Sequence, residues 1–157
     1  MSSTEARPAG MWIIAFALLG NGALGAWLLL EQQFGQPTFL SFPMLTGGSR
    51  IETLIAYMCA GLMCGCFLIA GIALLFSRKG AIPIYLAGLI FYAGYITAAF
   101  LIFFVRGAWL SIVAGDFSVG DALFVLVFLV GGCALSFVVA RAVYNYLRSL
   151  SRSGLLR

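Results

Sequence analysis

The chain contains no histidine. That removes the commonest general base and the usual haem and zinc ligand. Charge is scarce too: 9% of its 157 residues are charged, against about 25% in an ordinary soluble domain. The few acids, Glu5, Glu31, Glu52, Asp116 and Asp121, all fall at or outside the ends of apolar runs. Ion-coupled transporters usually carry an ionisable group inside the membrane. With no acid there, ion-coupled transport through this chain's own body is disfavoured. Serines and tyrosines within the runs have no histidine or lysine beside them, so nucleophilic catalysis lacks a base. No catalytic residue and no bound cofactor is expected.

What is abundant is apolar surface: 63% of the residues are hydrophobic and the mean hydropathy is +1.09. A small domain has too little interior to hide that much, so lipid is the solvent for most of it. The net charge of +4 is not a nucleic-acid footprint, which needs cations clustered on one face. The cations sit instead at the ends of apolar runs, where they set membrane orientation.

Two such runs meet at Leu74-Leu75-Phe76-Ser77-Arg78-Lys79-Gly80-Ala81-Ile82-Pro83. A gap that short joins only antiparallel neighbours. Pro83 fits the first turn of the following helix, where a missing N–H costs little. The spacing predicts an all-α integral membrane bundle of four transmembrane helices, since an open sheet leaves backbone groups unpaired in lipid. The spans are expected at about 11–30, 53–76, 82–105 and 122–143. A flexible arm (1–10) precedes them and a basic tail (144–157) follows. A run of ~20 apolar residues suffices to cross a bilayer core. The first run is longer than a signal-peptide core, so it reads as a retained span rather than a cleaved leader.

With the amino terminus inside, Arg7, Arg78, Lys79, Arg141, Arg148, Arg152 and Arg157 lie on the inner side, and Arg50 and Arg106 on the outer side. This bias places both termini in the cytoplasm and the chain in the cell inner membrane. Ser49-Arg50-Ile51-Glu52 is a capping-box pattern opening the second span. The outer connections hold an apolar stretch, Trp109–Val113, suited to a short surface helix. Arg106, Asp116 and Asp121 share that side as an ion pair or, the commoner case, as solvated charges.

Several residues suit helix packing. Asn21, an amide inside the first span, is expected to face another helix. Gly61 and Gly65 form a G-x-x-x-G pair that permits close backbone approach, expected within the bundle rather than across a dimer. Gly132, Ser136 and Ala140 make a small-residue stripe on the fourth span. Tyr92 and Tyr95 need acceptors such as Thr97 or a backbone carbonyl. Cys59, Met63 and Cys66 share one helical face, and Cys133 would join them if the second and fourth spans are neighbours. Soft sulfur ligands suit Cu(I); ordinary core packing explains the same residues more simply. Arg148 and Arg152 in the tail suit anionic headgroups, or act only as a topology anchor.

The layout resembles the bacterial four-span membrane family known as domain of unknown function 2569. The likeness rests on Gly10-Met11-Trp12 at the start of the first span, on Phe76-Ser77-Arg78-Lys79-Gly80-Ala81-Ile82-Pro83, and on the aromatic, basic exit Tyr146-Leu147-Arg148-Ser149-Leu150-Ser151-Arg152. It implies an integral membrane protein with no catalytic residues to carry over. From the residues themselves, the leading expectation is a non-catalytic accessory or assembly subunit, partnered by lipids and by other membrane proteins or itself. The alternatives are a transporter or channel for an uncharged or lipid-like solute, lined by Asn21, Tyr92, Tyr95 and Thr97, and a membrane enzyme or copper-handling protein.

Overall fold

The computed structural model describes residues 8–34, 50–100 and 119–156. Within them the chain is all-helical: α1 (Ala9–Phe34), α2 (Arg50–Leu75), α3 (Ala81–Phe100) and α4 (Val119–Arg152). All four are long and apolar enough to cross a membrane, the architecture of a multi-pass membrane protein. Ser49, the Trp109–Val113 stretch, Arg106 and Asp116 lie outside the described residues.

Burial follows a spacing of three and four residues on every helix. On α1 the buried positions are Met11, Ala15, Leu18 and Gly22. On α2 they include Ala60, Cys64, Phe67, Gly71 and Leu74, and on α3 Ala81, Tyr85, Gly88 and Tyr95. This is the seam spacing of helices packed nearly parallel or antiparallel. The remaining apolar side chains, among them Ile13, Phe16, Trp27, Ile69 and Ile90, point outward. Such an exterior suits hydrocarbon rather than water. α2 is central, with α1 on one side and α3 on the other.

Small residues let the backbones close. A Cβ built on Gly22 would stand 2.9 Å from the Cys64 carbonyl oxygen, and one on Gly71 3.0 Å from the Ala15 carbonyl oxygen. α1 and α2 therefore meet nearly backbone to backbone at two levels. On the other side of α2, a Cβ at Gly88 would strike the Phe67 ring at 2.7 Å. The Phe67 ring also tilts against Tyr85, with centroids 6.0 Å apart.

The turn between α2 and α3 closes by a recognisable hydrogen-bond pair. The Arg78 N–H donates to the Ala73 carbonyl (2.8 Å), and the Ser77 N–H to the Leu74 carbonyl (2.9 Å). This is a Schellman cap, whose pivotal residue takes a left-handed conformation. Here that residue is Ser77, with φ 54°. A left-handed residue with a Cβ is strained, and glycine relieves it. Ser77→Gly is expected to raise stability by about 0.5–1 kcal/mol, read as the midpoint of thermal unfolding in mild detergent. An unchanged or lowered midpoint would mean that the Ser77 side chain supports the turn in some other way.

α4 differs from its neighbours. It has 34 residues, about 51 Å at 1.5 Å per residue, well beyond a core of ~30 Å. It runs unbroken past Val143, where the span was expected to end. Its inward positions are Cys133, Ser136, Ala140, Val143, Leu147 and Leu150, again at three- and four-residue spacing. Leu147 and Leu150 are buried with Met11, Ala15, Leu74 and Ala81 in one cluster. The start of α1, the end of α2, the start of α3 and the end of α4 therefore meet at one end of the molecule. Past α4, the Leu155 N–H donates to the Leu150 carbonyl (3.1 Å) and the Gly154 N–H to Ser151 (3.3 Å). Gly154 is left-handed there, at φ 76°. This second Schellman cap folds Leu156 back into the same buried cluster. The expected free basic tail is thus, in its apolar half, part of the core. Arg148 and Arg152 remain exposed on its outer face.

Toward its other end, every described side chain of α4 from residue 120 to 132 is exposed, including Leu123, Val127 and Val130. Among the described residues, the bundle is most tightly closed at its arginine-rich end.

Candidate functional site

A cleft lies on each side of α4. One lies between α1 and α4, about 460 Å³, with Phe67, Tyr85 and Leu89 at its back and Asn21 and Leu135 on its walls. The other lies between α3 and α4, about 520 Å³, lined by Leu89, Ile96, Thr97, Cys133 and Phe137 among others. Tyr92 and Ser136 border both. The Tyr92 hydroxyl and the Ser136 hydroxyl are 3.0 Å apart in a hydrogen bond. One turn nearer the closed end, the Tyr85 hydroxyl donates to the Ala140 carbonyl at 3.3 Å. These two bonds tie α4 to α3. Interhelical bonds of this kind in a membrane are each worth ~0.6–2 kcal/mol. Ser136 is thus a packing residue, and its partner is Tyr92.

Asn21 is placed differently from expectation. It precedes Gly22, and one residue is a rotation of ~100° on a helix. Gly22 faces α2, so Asn21 turns away from that seam into the α1–α4 cleft, beside Leu135 and Ser136. It is exposed and has no hydrogen-bond partner among the described residues. It was expected to face another helix; it faces α4 across this cleft with no hydrogen bond to its described residues.

Gly61, Gly65 and Gly132 are corrected by the same rotation. Nothing described lies within 4 Å of a Cβ built on any of them. Gly61 follows the buried Ala60, and Gly65 follows the buried Cys64, so the pair faces away from both neighbouring helices. Gly132 precedes Cys133 and is turned off the α4 seam. The close approaches are made instead by Gly22, Gly71 and Gly88, which the G-x-x-x-G pattern did not single out. Their signal in the sequence is a seven-residue spacing of small residues, Ala15 with Gly22 and Cys64 with Gly71.

The sulfur residues do not assemble. Cys59 lies 3.3 Å from a Cβ built on Gly94, and the Cys66 Cβ 3.1 Å from one on Gly88, so both face α3. Met63 packs at the margin of the core cluster. Cys133 lines the α3–α4 cleft, which none of the α2 sulfurs borders. All four cysteines are free. Among the described residues no three groups of histidine, cysteine, aspartate or glutamate stand together as a metal site.

Of the four side chains expected along a solute path, Tyr92 shares the α1–α4 cleft with Asn21 and the α3–α4 cleft with Thr97. Thr97 donates to the Ala93 carbonyl of its own helix at 2.9 Å. Tyr95 is buried with Ala56 and Ala60 between α2 and α3. Tyr95 borders neither cleft. No protein-family model, curated protein or solved structure matches the chain.

Proposed function

We propose that the protein is a non-catalytic accessory or assembly subunit of a complex in the cell inner membrane, with both termini in the cytoplasm and a transmembrane helix of another protein as its partner. One observation carries this: the Asn21 amide has no hydrogen bond among the described residues and stands exposed in the cleft between α1 and α4. An unpaired amide in lipid is unfavourable, by ~1–3 kcal/mol on mutational scales. A partner helix entering the cleft with a hydrogen-bonding side chain at mid-membrane removes that penalty and covers the exposed half of α4. The Tyr92–Ser136 hydrogen bond between the two clefts and the burial of Tyr95 away from both weigh against one continuous passage for an uncharged solute, and the scattered sulfurs weigh against a copper centre.

The test is purification of the tagged protein from its own membrane in mild detergent, followed by native mass spectrometry. A heteromeric complex is expected for the natural sequence. Asn21→Leu is expected to lose the partner while the isolated chain unfolds at an unchanged or higher temperature. A lone chain in both preparations would end this reading.

A further inference from the structure

The two clefts beside α4 differ in charge. The described side chains around the α1–α4 cleft are uncharged, whereas the α3–α4 cleft carries one cation, Arg141. The Tyr85 bond to the Ala140 carbonyl sets Arg141 level with the second turn of α3. It is therefore toward the closed end, where α3 begins just after the exposed Arg78 and Lys79. From Arg141 to Cys133 the cleft follows α4 for about 12 Å, through apolar walls that include Leu89, Ile96 and Phe137. Arg141 is exposed and has no ion-pair partner among the described residues.

A slot with a cation at its headgroup-level end and apolar walls running to mid-membrane has the polarity of one molecule, an acidic lipid. We propose that the α3–α4 cleft binds an anionic glycerophospholipid, its phosphate on Arg141 and one acyl chain along the wall of Leu89, Ile96 and Phe137. A guanidinium offers phosphate two parallel donors, and basic pockets between membrane helices suit acidic headgroups. The volume, about 520 Å³, lies in the range of small-molecule sites. An uncharged protein helix in this cleft would leave the Arg141 charge without an anion. The site is distinct from the exposed Arg148 and Arg152 beyond it on α4, which border neither of the two clefts.

The test uses the purified full-length chain, delipidated in neutral detergent. It is probed with phosphatidylglycerol and with phosphatidylcholine by native mass spectrometry. The natural sequence is expected to retain phosphatidylglycerol about tenfold better than phosphatidylcholine, and Arg141→Gln to lose that preference. Arg141→Lys is expected to restore part of it, and Arg148→Gln to leave it intact. Ala93→Phe keeps the cation and fills the cleft from the exposed Ala93 position, and is expected to lower retention of both lipids. Should Arg141→Gln fail to fold, Ala93→Phe decides alone. Equal retention of the two lipids by the natural sequence would overturn the proposal. So would undiminished phosphatidylglycerol binding in Arg141→Gln or Ala93→Phe, or an equal loss in Arg148→Gln, which would assign the lipid to the end of α4.

Discussion

Gly22→Leu is expected to destabilise the bundle by about 3 kcal/mol or more, the upper range of overpacking in a filled core. The reason is what surrounds the position. A Cβ there would meet the Leu68 side chain at 2.7 Å, the Cys64 carbonyl oxygen at 2.9 Å and the Leu68 amide nitrogen at 3.0 Å. A side-chain tip can swing aside, but two backbone atoms of α2 move only if the helix moves. The contact repeats seven residues away, where Gly71 meets the Ala15 carbonyl, so α1 cannot tilt about one point to make room. Gly61→Leu is the matched control. It adds the same side chain one rotation outside the seam, where nothing described lies within 4 Å. It is expected to change stability by less than about 0.5 kcal/mol, as surface substitutions do. Thermal or denaturant unfolding of the two variants in one detergent reads the difference. Equal losses would mean that the seam is not where α1 and α2 meet.

Leu147→Ala carries the second large effect, a loss of about 2–5 kcal/mol. Leu147 is fully buried, at 0% exposure, among Met11, Leu74 and Ala81. Between two helices in hydrocarbon, a buried leucine gains little over one facing lipid, because lipid tails are equally apolar. Leu147 is at the arginine-rich end, in the cluster where the ends of the four helices meet. The loss comes from the cavity that the missing side chain leaves among these packed ends. The exposed neighbours Arg148 and Arg152 provide the contrast. Arg148→Ala and Arg152→Ala are expected to leave the unfolding midpoint within experimental error. A Leu147→Ala protein as stable as the natural one would mean that the end of α4 is detached, as a free tail would be.

The four spans and their antiparallel order were legible because hydrocarbon demands long uncharged runs, and because the interruption at Ser77, Arg78 and Lys79 is too short for any other connection. Ser136 was legible as a packing residue, since a hydroxyl in lipid needs a partner. The helix faces were less legible. Hydropathy separates core from surface in water, but here both faces are apolar, so it cannot say which side of α2 meets α1. Gly61 and Gly65 drew attention by their motif, while the working seam, Ala60, Cys64, Phe67 and Gly71, lies one residue away. Asn21 was misplaced for the same reason: its neighbour Gly22 owns the contact. The end of α4 was read as a tail because its arginines stand out, although Leu147 and Leu150 continue the three- and four-residue spacing of Ser136, Ala140 and Val143 without a break.

The most direct measurement is a photoreactive benzoylphenylalanine placed at Leu135, on the wall of the α1–α4 cleft opposite Asn21, and irradiated in the native membrane. Leu135 is exposed, so the substitution leaves the core intact. The expected result is one discrete adduct with a second transmembrane protein, lost when Asn21 is also changed to leucine. Adducts with lipid alone would contradict the role of this cleft as the seat of a partner helix.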